Sequence, residues 1–483
     1  MKKKFLNLFM ILSIIIGVTS VNIVNALDMP PMVIHSNSVS YSGATTISED
    51  TNEKTGVYSS ENNKENALLV NGGTSTINRI EVTKSGDDEG DSSDFYGTNA
   101  GVLVYNGAKL NINGGFINTN GSHANALFAY SNGVINAKNI TIKTESNNSG
   151  GLMVTGGGIL NATNLNIETS GNSSAAIRSD RGGGTIVVDG GIYKTTGVGS
   201  PAIYSTADIK VSNATLTSSS SEGVVIEGKN SVTLDNVRLV DTNITLNGNS
   251  ETYKNIFLYQ SMSGDANEGT STFTSKGSDI VTNKGDVFYV TNTNAVINLE
   301  NNEFTYGDGD LLRIEAAKWG NIGSNGGNVT LNLTNQSIEG NIILDELSTL
   351  NMNLTNKTIF KGSINNLNNA NKVDLTIDKN SVILLTADTY INTLNNSLND
   401  NSNIYSNGYN LYVNGEKVKT NEGVFTKIEI EEEKEESKNE EVIETKEKDN
   451  TKIYIILGIL FIIIIGLIIL MIINKNRKRG ING

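Results

Sequence analysis

Apolar residues in the middle of the chain return at a nearly constant interval, and this interval predicts how the chain folds. One series of strand centres consists of Leu103, Phe128, Met153, Ile177, Ile203 and Val225. A second series keeps step with the first, and its members are Leu110, Ile135, Leu160, Ile186, Ile209 and Val232. Strand-like segments that repeat at a nearly fixed period, here about 25 residues, are typical of a solenoid.

Each repeat contains three short apolar segments separated by turn residues. In the repeat from Ala126 to Thr144, two segments alternate apolar and polar residues, as strands with one buried face do. Ser131-Asn132-Gly133 and Lys138-Asn139 separate the segments and have the composition of turns. Three strands and three turns in about 24 residues predict an all-β chain, in which each repeat is one coil of a parallel β-helix.

Polar residues between the inward positions recur at the same interval. Asn111, Asn136 and Asn161 keep the period of the apolar series, so we expect them to stack as an outward-facing amide ladder that strengthens the solenoid. If the coils run from about Ala67 to Val413, there are roughly 14 of them, and at about 4.8 Å per coil the rod is roughly 70 Å long.

Two parts of the chain interrupt the period. Residues 86–99 make the interval from Leu69 to Leu103 longer than the others, which predicts a loop on one face of the solenoid. After Asp241 the pattern loosens, and Thr305–Gly327 contains a longer irregular loop. Short strands are still predicted in that half, at Ile256–Tyr259, Val287–Val290, Val296–Leu299, Val329–Leu333, Ile342–Leu344, Leu350–Leu354 and Val373–Ile377.

The two ends of the chain predict secretion and membrane anchoring. Three lysines, an apolar stretch and a small-residue site at Val24-Asn25-Ala26 form a secretory signal over residues 1–26; an uncleaved N-terminal anchor is the alternative. Ile453–Ile473 carries no charge and is long enough to span a hydrocarbon core of about 30 Å. Four basic residues follow the span and place the C-terminus in the cytoplasm.

These features divide the chain into six segments. The order is signal peptide (1–26), N-terminal segment and cap (27–65), parallel β-helix (66–425), acidic stalk (426–451), transmembrane helix (452–473) and cytoplasmic basic tail (474–483). The expected location is the cell membrane, with a single span and the bulk of the chain outside.

Composition and charge narrow the range of possible functions and partners. The chain has no cysteine, so the extracellular part is held together by packing without disulfides. Its formal net charge is −14, and eleven acids against four lysines lie between Glu429 and Asp449. A strongly acidic exterior argues against nucleic acid as a partner.

Several segments resemble a known group of proteins. Asn111-Ile112-Asn113-Gly114-Gly115, Gly151–Ala162 and Gly327–Asn335 resemble the right-handed, pectin-lyase-like β-helices of adhesin-like surface proteins. Asn255–Ser261 and Trp319-Gly320 resemble segments of anchored proteins of Gram-positive type. The resemblance covers roughly residues 65–415 and implies the fold. It leaves activity open, because that superfamily contains lyases, hydrolases, adhesins and phage fibres.

The best local candidate for chemistry is Arg178-Ser179-Asp180-Arg181. The repeat spacing stacks Asp180 between Gly156 and Thr206, and Arg178 between Val154 and Tyr204. Hydrolysis of a polysaccharide needs two nearby carboxylates, and this spacing brings no second acid from either adjacent coil. We therefore expect an Arg–Asp pair on the surface.

The remaining candidates also favour structural roles. His35 and His123 have no catalytic or metal-ligand partner at a recognised spacing. Two acidic segments do not match a calcium loop; the first contains Asp87, Asp88, Glu89, Asp91 and Asp94, and the second is Tyr306–Asp310. Trp319 is expected to anchor a loop, with sugar stacking as the alternative, and Thr215–Thr217 is too isolated for ice binding.

The sequence thus predicts a membrane-anchored surface rod that binds a glycan or protein ligand as adhesins do. No catalytic residue, metal ligand or cofactor is assigned. A polysaccharide lyase or hydrolase on the same fold and a purely structural surface element are the alternatives.

Overall fold

A computed structural model describes residues 39–246 and 252–426 of the chain. The predicted signal peptide, acidic stalk, membrane span and basic tail, and with them His35, lie outside these residues, apart from Thr426 at the start of the stalk. Within them, no helix is long and apolar enough to cross a membrane.

Nearly all regular structure in the described part is β-strand. The first strands are β1 (Gly43–Ile47), β2 (Thr51–Glu53), β3 (Gly56–Ser60), β4 (Asn66–Val70), β5 (Thr74–Ile77) and β6 (Ile80–Lys84), followed by one short helix, α1 (Asp91–Tyr96). The next strands are β7 (Val102–Val104), β8 (Lys109–Ile112), β9 (Gly115–Thr119), β10 (Leu127–Tyr130), β11 (Val134–Lys138), β12 (Ile140–Thr144), β13 (Leu152–Thr155), β14 (Gly158–Thr169), β15 (Ile177–Ser179), β16 (Gly184–Thr195), β17 (Ile203–Ser205), β18 (Asp208–Ser218), β19 (Val224–Glu227), β20 (Ser231–Asp235) and β21 (Arg238–Asp241).

The second half continues in the same way. Its strands are β22 (Lys254–Tyr259), β23 (Thr270–Lys276), β24 (Asp279–Thr282), β25 (Asp286–Thr291), β26 (Asn294–Glu300), β27 (Glu303–Thr305), β28 (Leu312–Ile314), β29 (Asn328–Thr334), β30 (Ser337–Glu339), β31 (Ile342–Leu344), β32 (Thr349–Thr355), β33 (Ile359–Gly362), β34 (Lys372–Ile377), β35 (Val382–Leu385), β36 (Thr389–Ile391), β37 (Thr393–Asn396), β38 (Ile404–Tyr405), β39 (Leu411–Val413) and β40 (Glu416–Val418). All the strands predicted after Asp241 are present, and β28 adds one inside the segment predicted as an irregular loop.

The strands stack into a right-handed parallel β-solenoid of about 15 turns, which confirms the predicted fold class. A 12-stranded sheet and a 21-stranded sheet form its long faces, and a 4-stranded and a 3-stranded sheet complete the C-terminal end. The stacking begins with β1, which pairs with β4 in parallel. Within the described residues the coils thus start at Gly43, before the boundary at residue 66 that the sequence predicts.

The core lies inside the coils, and the second apolar series forms one of its columns. Each member of that series is directly beside the next: Ile135 pairs with Leu110 and with Leu160, and the column continues without a slip to Val232. All these side chains are buried. The second series was predictable because its strands alternate buried and exposed residues, which fixes the register.

The first apolar series follows two different columns. Met153 pairs with Arg178 and not with Ile177, because Ile177 pairs with Leu152 in the inward column. In the next coil, Ile203 pairs with Ile177 and therefore also lies in the inward column, while Tyr204 pairs with Arg178 in the outward column. The strands of the 12-stranded sheet are largely buried on both faces, so apolar residues occur at successive positions and the sequence alone does not separate inward from outward ones.

Asparagine and glycine occupy a repeated corner between two strands of each coil. Asn139, Asn164 and Asn236 have left-handed backbone angles there, with φ of 54°, 54° and 55°. Asn tolerates this region better than most residues do. The corner side chains also bond to each other, as Asn164 Nδ2 does to Asn139 Oδ1 at 2.9 Å. The abundance of asparagine is therefore a consequence of the coil geometry.

Two parts of the structure depart from simple stacking, one on the surface of the 12-stranded sheet and one at the C-terminal end. The insertion at residues 86–99 contains α1 and lies on the outer surface of the 12-stranded sheet, where Thr155 of β13 donates to the carbonyl of Phe95. Gly97 ends the helix with φ of 73°, where a Cβ atom would come within 2.8 Å of Leu103. At the C-terminal end, β39 pairs with β36 in parallel and with β40 in antiparallel orientation.

Candidate functional site

Arg178 and Asp180 lie on the outer surface of the 12-stranded sheet. The neighbours of Arg178 are Met153 of β13 and Tyr204 of β17, so the predicted neighbour Val154 is wrong by one residue while Tyr204 is correct. Gly156 donates its backbone N–H to the carbonyl of Arg181, and it therefore lies beside Arg181 instead of Asp180. The cause is the register shift of the first apolar series.

The Arg178–Asp180 pair is buried, although the sequence predicts a surface pair. Arg178 Nη2 lies 3.0 Å from Asp180 Oδ2, and the side chains are only 14% and 6% exposed. Burial raises the pKa of the Asp180 carboxyl, the nearby Arg178 guanidinium opposes that rise, and Asp265 adds to it. Arg178 also donates to the carbonyl of Ser173 at 3.2 Å. The pair is thus a buried, hydrogen-bonded contact.

Arg181 connects two insertions that fold over this surface. Its Nε lies 2.6 Å from Asp265, in the loop after β22, and its Nη1 lies 3.8 Å from Asp91 of α1. The guanidinium also stacks on the ring of Phe95, 3.9 Å from its centroid. Asp265 is thus a second acid near Asp180. Coil spacing does not reveal it, because it lies in a loop several coils later in the chain.

Three acids of the insertion attach it to the coils, each through a separate contact. Asp94 accepts a hydrogen bond from His123 Nδ1 at 2.8 Å, Asp87 accepts one from the backbone N–H of Ser122 at 2.8 Å, and Asp88 Oδ1 lies 3.5 Å from Lys64 Nζ. Within residues 39–246 and 252–426, no group of three or more His, Cys, Asp or Glu side chains could hold a metal ion.

His123 is part of this attachment and is largely shielded from solvent. Its side chain is 13% exposed, and Asn148 Nδ2 lies 2.9 Å from its Nε2. The hydrogen bond to Asp94 raises the pKa of His123 above its ordinary value. The imidazole bridges the insertion and two coils, a role that residue spacing did not indicate.

Trp319 packs against an aromatic patch on the same surface, farther along the rod. Its ring centroid lies 5.3 Å from that of Phe257 and 5.1 Å from that of Tyr259.

Asp308 and Asp310, in the segment compared with a calcium loop, bond to separate partners, the backbone N–H of Gly285 and the guanidinium of Arg313.

Glu227 is a buried carboxylate that the sequence did not single out. It accepts hydrogen bonds from the hydroxyls of Tyr204 at 2.6 Å and Tyr259 at 3.1 Å, and from Ser261. Ser261 lies in a loop that follows the next strand of the sheet, so no local motif marks the group. Like Asp180, Glu227 is therefore a buried carboxylate on this sheet that is hydrogen-bonded to other side chains of the chain.

The 21-stranded sheet has a different outer surface, on which ladders of asparagine amides lie among charged and apolar side chains. The predicted ladder is confirmed: Asn136 donates to Asn111 at 2.9 Å and Asn161 donates to Asn136 at 2.8 Å. A second ladder in the looser half was missed, because insertions make its spacing irregular. Its members are Asn298, Asn332 and Asn353, joined at 2.8 and 2.9 Å.

Comparison with known proteins gives no match: no family model, no curated protein and no solved structure is significantly similar to this chain.

Proposed function

We propose that this chain is an extracellular, membrane-anchored rod that binds a glycan or protein ligand without transforming it, as adhesins do. The solenoid fold fits a rod-like extracellular protein. The signal and the C-terminal span predicted from the sequence supply secretion and attachment.

The observation that carries the binding role is the burial of two carboxylates on the 12-stranded sheet. Asp180 and Glu227 are 5% and 1% exposed, and each bonds to side chains of the chain itself. A general acid or base must come within hydrogen-bond reach of the reacting atoms. Carboxylates that are buried and already bonded favour stabilisation of the fold over hydrolysis or elimination. The rival proposal, a polysaccharide-active enzyme, needs accessible groups on this surface.

The test is to incubate the full-length protein with a panel of polysaccharides, with and without Ca²⁺. We expect binding to some member of the panel, or to surface protein, with no new reducing ends and no unsaturated products. Product formation that is lost in Asp180→Asn would identify an enzyme with this site. Product formation retained in that variant would equally reject the proposal and place the chemistry elsewhere.

A further inference from the structure

The outer surface of the 21-stranded sheet contains a regular grid of small neutral polar side chains. Strands β23, β26, β29, β32 and β34 lie side by side, and their outward residues align in columns. The columns are Thr270–Asn294–Asn328–Thr349–Lys372, Thr272–Val296–Thr330–Asn351–Asp374 and Thr274–Asn298–Asn332–Asn353–Thr376. We call these fifteen residues the amide grid; twelve of them are Thr or Asn.

The ladder bonds leave part of each amide available for a ligand. Asn332 donates to Asn298 at 2.8 Å and accepts from Asn353 at 2.9 Å. An amide has two N–H donors and two acceptor lone pairs, so one of each remains. The unused groups repeat along the rod axis at the coil spacing of about 4.8 Å. The grid therefore offers a periodic set of donors and acceptors.

Part of the grid is concave. A groove of about 330 Å³ follows the first two columns from Thr270 to Lys372. Five coils at about 4.8 Å make it about 19 Å long. At Asn294 it meets a second depression of about 260 Å³, between the loops at residues 260–269 and 320–324. An extended ligand fits this shape better than a compact one.

The two charged residues that line the groove compensate each other, because Lys372 lies 2.6 Å from Asp374. The whole chain, by contrast, carries a net charge of −14, which disfavours the approach of acidic polymers. The grid contains no aromatic residue and one apolar residue, Val296, whereas protein interfaces concentrate aromatic and apolar side chains at their centre.

We propose that the amide grid binds an extended, uncharged glycan along the rod axis through hydrogen bonds to its hydroxyl groups. This inference rests on the proposed binding function and adds to it the ligand class and the site.

The test uses two adjacent residues of the groove whose side chains make no hydrogen bond within the described residues, Thr330 and Asn351. The double variant T330V/N351L removes their polar groups with little change in shape. The matched control is T141V/N166L, because Thr141 and Asn166 are also outward neighbours on adjacent strands of the 21-stranded sheet, on coils outside the grid. Both double variants should melt like the wild type.

Binding is measured by calorimetry on the full-length protein with unbranched hexasaccharides of neutral hexoses and of N-acetylglucosamine, and with oligogalacturonate as the acidic probe. We expect a neutral hexasaccharide to bind, T330V/N351L to bind it at least tenfold more weakly, and T141V/N166L to bind it as the wild type does. Equal affinity of T330V/N351L and wild type overturns the site.

The outcomes separate this inference from the proposed function. Binding of the acidic probe or of a surface protein, with no neutral hexasaccharide bound, overturns the inference and leaves the binding function standing. Cleavage of a hexasaccharide overturns the binding function itself.

Discussion

The buried pair of Arg178 and Asp180 gives the sharpest test of the structure. Replacing Arg178 with Met removes the guanidinium and leaves the Asp180 carboxylate buried beside Asp265. Removing one partner of a buried ion pair typically costs about 3–5 kcal/mol, because the remaining charge is uncompensated. We expect a loss of this size in the free energy of unfolding at pH 7.

The same variant has a pH dependence with a definite sign. Burial raises the pKa of Asp180 in the folded state, and without Arg178 the rise is larger. A carboxyl whose folded pKa lies above its unfolded value destabilises the fold once it ionises. The difference between R178M and wild type should thus shrink below the unfolded value of about 3.9 and grow as the pH rises through the folded pKa.

Chemical denaturation at a series of pH values measures this difference, with two further variants for comparison. D180N leaves Arg178 charged at every pH, so its loss should persist in acid, and R178M/D180N should cost less than the two single losses added together. K194M is the matched control: the pair of Lys194 with Glu168 is exposed on the other long sheet, so we expect a loss below about 1 kcal/mol. An R178M protein whose stability at pH 7 is within about 1 kcal/mol of wild type would refute the buried pair, because that is the range of exposed pairs.

Three further outcomes are expected. Protease added to intact cells should release a soluble fragment that ends between Thr426 and Asn450, and recovery of the repeats from the cytosol alone would contradict secretion. Leu160→Asp, which places a charge in the core, should lower the melting temperature far more than Asn161→Asp in the outward ladder; equal losses would reject the inward and outward assignment. The bond between His123 and Asp94 should stabilise the insertion below the unfolded pKa of about 6.5 and lose this effect as pH rises through the higher folded pKa; hydrogen exchange of residues 86–99 should show this, and should show no such step in His123→Gln.

The fold could be predicted from the sequence because apolar and polar residues alternate along most core strands. Leu160 and its column were placed correctly, since one face of those strands is polar and a slip would expose the core. Ile177 was assigned to the column of Met153 because the preceding strands of its sheet, β10 and β13, are buried on both faces, so their sequences lack the alternation that marks register.

The candidate sites were harder to predict because loops complete them. Arg181 meets Asp265 across several coils, and Glu227 meets Ser261 from the loop after the next strand of its sheet. Neither separation is a multiple of the coil period, so spacing arguments do not find them. The second ladder at Asn332 was missed for a related reason: an insertion before it breaks the interval while the strands keep their register.

The hairpin at the C-terminal end has a consequence for how copies of this protein behave when crowded together. The last strand of a parallel stack exposes unpaired N–H and C=O groups that can template another chain. Here β40 turns back and covers β39 in antiparallel orientation, and Asn421 bonds through its backbone to Ile404 and Ser406 beside β38. These residues cover the last strands of the 3-stranded and 4-stranded sheets, so neighbouring molecules are not expected to add strands to these two sheets.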